Sequence, residues 1–153
     1  MSKAILLVPG ATEPKLVDFP SREQVVSSGE SNLSLYYALI GCSMISVGLS
    51  LKMGDYEAVI IIDDEGLYNG PVSEDGLRMP ALYNALASGI VRNEYTAGPT
   101  SPIVGTGLIV QGDDDGNLFG FEERELTAVM AKIDAADPRE ATPRELEFIA
   151  NFV

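Results

Sequence analysis

The run Ala58 to Ile62, bounded by Glu57 and Asp63, constrains this chain more than any other stretch. It is short, continuously apolar and stopped abruptly by Asp63-Asp64-Glu65-Gly66. A run of this length with no polar face predicts a strand buried on both sides, interior to a sheet. Ile103 to Gln111 repeats the design and ends in Gly112-Asp113-Asp114-Asp115-Gly116-Asn117. Three further runs complete the strand set. Lys3 to Val8 stops at Pro9-Gly10 and is expected to pair with Lys15 to Phe19 through a hairpin. Cys42 to Leu51 alternates in the manner of a half-buried strand.

Helices are announced by period and by caps. Leu33, Tyr36, Tyr37 and Ile40 follow i, i+3, i+4, i+7, and Gly41 is suited to the residue after the helix end. Met79 to Val91 puts Met79, Leu82, Leu86 and Ile90 on one stripe, with Asn84 opposite it. Glu122 to Ile133 carries Leu126, Val129, Met130 and Ile133, with acids in the first turn where the helix dipole favours them. Ser21 to Gln24 has capping-box spacing, but the Ser27–Ser31 stretch interrupts it and is expected to be loop. Thr142-Pro143-Arg144-Glu145 combines a capping box with proline at the first helical position. Together these predict an α+β domain over residues 1–136, a mainly antiparallel sheet with helices on one face. A helical extension over 137–153 is expected to dock on that domain or on a partner.

Absences narrow the chemistry. The chain has no histidine and a single cysteine, Cys42. Histidine-based triads and histidine metal ligands are therefore excluded, as are a zinc or iron–sulfur site built by one chain and an intramolecular disulfide. No cofactor is expected. No apolar stretch reaches the ~20 residues of a membrane span. The opening apolar run is too short for a signal peptide, so a cytoplasmic location is expected. The net charge of −13 opposes direct contact with nucleic acid or an anionic membrane and favours a basic protein partner. Between Met53 and Leu77 stand Asp55, Glu57, Asp63, Asp64, Glu65, Glu74 and Asp75 and no basic residue. This one-sided segment is the expected partner-binding set, a surface able to imitate phosphates. Oligomers are also compatible with the composition.

The order of strand, acidic loop, helix and glycine-bearing strand resembles an uncharacterised domain-of-unknown-function family of phages, prophages and actinobacteria. Its pattern is Gly-Gly-x-Ile-Glu, Asn/Asp-Glu-Glu-Gly, Asn-x-Ala and Ile-x-Gly. Gly41-Cys42, Asp64-Glu65-Gly66, Asn84-Ala85 with Ala87, and Ile103-Val104-Gly105-Thr106 are similar to these in turn. The likeness spans most of Met1 to Ile133 and leaves the last twenty residues as an addition. It departs where Cys42 replaces the second glycine and where Ile45 or Ser46 stands for the glutamate. The resemblance implies a phage or mobile-element origin and carries no activity.

Three functional readings follow. The first is a non-catalytic acidic protein that inhibits a host nucleic-acid-handling or defence protein by occupying a basic site. The second is a small-molecule binder of nucleotide type, with Asn84, Gly105, Gly107, Tyr68 and Tyr83 lining a pocket. In the third, Asp63-Asp64-Glu65 and Asp113-Asp114-Asp115 converge to hold Mg²⁺ for hydrolysis. An EF-hand register fails for the second cluster, since its first ligand position falls on Gln111 within a strand, and a hairpin turn is the expected role. For Asn84 the structural alternative is an amide bonded to the backbone of the Asp64–Gly70 loop.

Overall fold

The computed structural model describes residues 2–11, 13–29, 32–41, 44–52, 56–63, 74, 83–94, 103–136 and 142–150. The chain runs β1 (Lys3–Leu7), β2 (Lys15–Asp18), α1 (Arg22–Ser28), α2 (Leu33–Ile40), β3 (Ile45–Lys52), β4 (Glu57–Asp63), α3 (Ala85–Glu94), β5 (Gly107–Gly112), β6 (Leu118–Phe119), α4 (Glu123–Ala135) and α5 (Pro143–Ala150). It is an α+β fold on a single antiparallel sheet ordered β2-β1-β5-β4-β3, with β6 added to β5. β4 is interior, as its apolar run predicts, but the middle place belongs to β5. The first strand enters between β2 and β5, so the sheet closes only after more than two thirds of the chain has been laid down.

Helices cover both faces of this sheet, and the expectation of one covered face is corrected. Ile5, Leu7, Ala58, Ile60 and Ile109 meet α3 through Leu86, Ala87, Ile90 and Val91, and α4 through Val129 and Ile133. On the other side Ala4, Leu6, Val59, Ile61, Leu108 and Val110 meet Phe19 and the Tyr36 and Ile40 of α2. Successive strand residues point to opposite faces, so a strand that is apolar at every position needs cover on both. Ile60 and Ile61 are each about 1% exposed or less and face opposite ways. Burying each contributes roughly 2–3 kcal/mol. The Phe19 and Tyr36 rings pack tilted, centroids 5.5 Å apart. Burial raises the Tyr36 phenol to about 12. The unfolded chain gives up that proton near pH 10, so stability present below pH 10 is expected to drain away between 10 and 12. Denaturant melts across that interval check it, with Tyr36→Phe reducing the dependence.

Local signals were met in detail. Ser21 Oγ accepts from the Gln24 N–H and Gln24 Oε1 accepts from the Ser21 N–H, a complete capping box. The helix it opens runs to Ser28 and ends on Gly29 at φ 63°, so Ser27 and Ser28 are helix rather than loop. The serines stay helical because their hydroxyls turn back to the carbonyls of Gln24 and Val25. Gly41 ends α2 at φ 78°, as its position predicts. The buried stripe of α2 is Tyr36 and Ile40 flanked by Leu35 and Leu39, while Leu33 is exposed. Thr142 and Glu145 form the reciprocal capping box of α5. That helix exposes Leu146. Among the described residues no helix is long and apolar enough to cross a membrane.

Candidate functional site

Antiparallel register decides which polar residues meet. Lys52 pairs with Glu57, and Glu57 pairs with Gly112, so the ends of β3, β4 and β5 lie side by side. The turn from Asp113 to Asn117 projects just beyond them. Asp113 organises that turn. Its Oδ1 accepts from the N–H groups of Asp115 (3.0 Å) and Asn117 (2.9 Å), and its Oδ2 accepts from the Asn117 amide (3.1 Å). Gly116 takes φ 83°, a left-handed conformation that glycine adopts without strain. Arg22, the first residue of α1, donates its Nε–H to Asp113 Oδ2 at 3.1 Å and ties the helix to the turn.

The Asp113 carboxyl is drawn upward by burial, but the donors from Asn117, Arg22 and Asp115 outweigh this and leave it below the ordinary carboxylate range. A carboxyl lowered on folding contributes stability above its unfolded value, and that stability is lost as pH falls through the folded value. Asp113→Ala is expected to destabilise by on the order of 1–2 kcal/mol at neutral pH, from three lost turn hydrogen bonds on a largely solvated loop. The deficit should shrink as the pH is taken below about 4, where the native carboxyl protonates too. Urea melts at neutral and acid pH measure both.

A cleft of about 400 Å³ opens at this sheet end, lined by Arg22, Lys52, Tyr56, Glu57, Gln111, Gly112, Asp113, Asp114 and Phe119. Tyr56 donates its hydroxyl to the Glu125 carbonyl at 3.4 Å and so brings the first turn of α4 to the same end. Burial raises the Tyr56 phenol, the Glu125 charge raises it further, and Arg124 partly opposes them. Glu57, Asp114, Asp115, Glu122 and Glu123 are exposed here. The acidic surface is thus assembled from β4, the β5–β6 turn and α4.

This is a different set from the one the contiguous acidic segment predicts. Of that segment Glu57 lies at the site. Asp63 stands at the opposite end of β4, six residues away or about 20 Å along a strand, and is 8% exposed. Glu74 is an exposed turn residue. Asp55, Asp64, Glu65 and Asp75 lie outside the described residues. The convergence of the Asp63 and Asp113 clusters is corrected for the same reason. Their strands are neighbours in one sheet but run antiparallel, so Asp63 and Asp113 stand at opposite ends. Among the described residues no group of acidic or sulfur ligands is clustered for a metal ion.

Of the residues expected to line a ligand pocket, Asn84 has a structural role. Asn84 is fully buried and precedes α3 rather than sitting within it. Its Oδ1 accepts from the Ala87 N–H at 3.1 Å, capping the helix. Its amide donates to the carbonyls of Leu7 and Gly105, both at 2.9 Å. The amide does bond backbone, but that of β1 and the Gly105 turn. The helix begins at Ala85 because Asn84 serves the backbone better as a cap than within a turn. Met79, Leu82 and Tyr68 lie outside the described residues. Tyr83 is half-buried and bridges Val104. Gly105 turns at φ 80° ahead of β5, so the strand starts at Gly107 rather than at Ile103.

At Gly107 a Cβ would lie 3.7 Å from Ile60 Cγ2 and 4.0 Å from Ala87 Cβ, so the approaching element is α3. These are ordinary contacts. Gly107→Ala is expected to be neutral or to stabilise by up to about 1 kcal/mol through the unfolded chain's lost freedom, measurable by thermal melt.

The meeting of Arg22, Lys52, Tyr56 and Gln111 left no local trace in the sequence, because they come from α1, β3, the bend before β4 and β5. The strand register and the Arg22–Asp113 pair join them. The chain matches no protein-family model, no curated protein and no solved structure.

Proposed function

We propose that this is a non-catalytic binding protein whose acidic sheet end docks into a basic site on a partner protein. By the resemblance to phage-borne proteins, that partner is a host nucleic-acid-handling or defence protein whose basic site the acids occupy in place of phosphate. The observation that carries the reading is the gathering of Glu57, Asp114, Asp115, Glu122 and Glu123 on one exposed end, in a chain of net charge −13. Such a surface raises association rates and directs the choice of partner more than it adds raw affinity.

The test is capture from a host lysate at low and high salt, followed by mass spectrometry and a titration with the retained protein. A basic partner should be held at low salt and shed at high salt. Reversing Glu57, Asp114, Asp115 and Glu123 to lysine should weaken it on the order of 100-fold, since each rim contact contributes roughly 0.2–1 kcal/mol and reversal makes it repulsive. Retention unchanged by the four reversals would defeat the proposal.

A further inference from the structure

The cleft between Arg22, Lys52 and Glu57 is not needed for docking by an exposed acidic rim, and its chemistry points to a second occupant. Its volume of about 400 Å³ is that of a small-molecule site. Its walls are strand ends and the start of α1, held by the sheet register and by the Arg22–Asp113 ion pair. Charges of both signs alternate around it. Arg22 stands against Asp113, Lys52 stands opposite Glu57 in the strand register, and Asp114 is exposed beside them.

A polyanion would meet Glu57, Asp113 and Asp114 as well as the overall charge of −13. A simple cation would meet Arg22 and Lys52. A molecule with one charge of each sign a few ångströms apart suits both sets. Glu57 already accepts from the Ser50 hydroxyl at 3.1 Å through one oxygen, which holds that carboxylate in place. The Lys52 and Asp114 side chains make no hydrogen bond or ion pair among the described residues. The rest of the lining supplies the Tyr56 and Phe119 rings and the Gln111 amide.

We propose that this cleft binds a small zwitterion of amino-acid type with an apolar or aromatic side chain. Its carboxylate takes donors from Lys52 and Arg22, its ammonium group donates to Asp114 and Glu57, and its side chain lies against Tyr56. The inference shares Glu57 and Asp114 with the docking surface but does not rest on that reading, since a ligand here requires no protein partner.

The experiment is a titration of the isotopically labelled protein followed through its backbone amide resonances, with the free amino acids as probes. Parallel titrations use inorganic phosphate, a nucleoside monophosphate and the decarboxylated amine of the best-binding amino acid. The expected result is saturable shifts confined to Lys52, Tyr56, Gln111, Gly112 and Asp114 with at least one apolar or aromatic amino acid. The decarboxylated amine and the N-acetylated amino acid should each bind about tenfold more weakly or worse, having lost one of the two charges. Lys52→Gln and Asp114→Asn, both exposed and outside the core, should each weaken binding several-fold while leaving distant resonances in place. Shifts produced only by phosphate and the nucleotide would make the cleft an anion site and overturn the proposal. Shifts only with the amine would make it a cation site and equally overturn the proposal. No shift at these amides with any amino acid at millimolar concentration would remove it.

Discussion

Asn84→Ala should cost about 3–5 kcal/mol, the largest loss expected of a single polar substitution here. The side chain is fully buried and carries three hydrogen bonds to three separate parts of the backbone: Leu7 at the end of β1, Gly105 in the turn before β5, and Ala87 in the first turn of α3. Truncation leaves the buried Leu7 carbonyl and the part-buried Gly105 carbonyl without their donor, at about 1–3 kcal/mol for the first and less for the second, and removes a helix cap that contributes about 1 kcal/mol more. The neighbouring bonds, Asn84 N–H to Ile103 O and Ile103 N–H to Ser88 Oγ, depend on the same placement.

Asn84→Asp sharpens the expectation. At neutral pH it sets a buried carboxylate against the Leu7 and Gly105 carbonyls, where two donors are required. Its pKa would rise on folding, so relative to the parent protein it should be weakest at neutral pH and recover as acid protonates it. Denaturant melts of both variants at neutral and mildly acid pH provide the check. A loss under about 1 kcal/mol for the alanine variant would mean that water replaces the amide and the junction is not as dry as its burial implies.

Gly120→Ala is the second large effect, expected at roughly 2–4 kcal/mol from overpacking and a displaced hydrogen bond. A Cβ at Gly120 would sit 2.6 Å from Ser2 Oγ, 2.9 Å from Ser2 Cβ and 3.1 Å from the Lys3 nitrogen. Neither neighbour can retreat freely. Ser2 is fully buried and its hydroxyl donates to Phe19 O at 2.7 Å, while Lys3 N–H donates to Phe121 O at 3.0 Å. The glycine is required by the close approach of two backbones, not by an unusual φ. Ser2→Gly removes the two nearest atoms and should recover a substantial part of the loss when combined with Gly120→Ala. Simple additivity of the two substitutions in a double-mutant cycle would refute the steric account.

The contrast with Gly107 shows what the sequence conceals. Both are glycines near apolar strands, and Gly107, with Gly105, is the one the sequence places against a ligand. In the fold it has room for a methyl group, whereas Gly120, which stands in no recognisable motif, has none. Spacing along one strand cannot say which other segment crosses it. The capping boxes at Ser21 and Thr142, the helix end at Gly41 and the β5–β6 turn at Asp113 were legible because each is made by residues within a few positions of one another.

By itself the sequence determined the local events and the need for a sheet. Ala58–Ile62 has no polar face and had to be interior, and the caps and glycines had to start and stop helices where they do. It also contained the reason that helices cover both faces, since a strand apolar at every residue leaves no side for water. Tertiary structure alone decided the strand order, the antiparallel sense of β4 against β5, and therefore which carboxylates meet. Asp63 and Asp113 each follow an apolar run, yet opposite chain directions put them at opposite ends of the sheet. The same register brought Lys52, Glu57 and Gly112 side by side and let α1 reach Asp113 with Arg22. Such contacts join residues that no periodicity links, and their energy comes from closing the whole sheet rather than from any one segment.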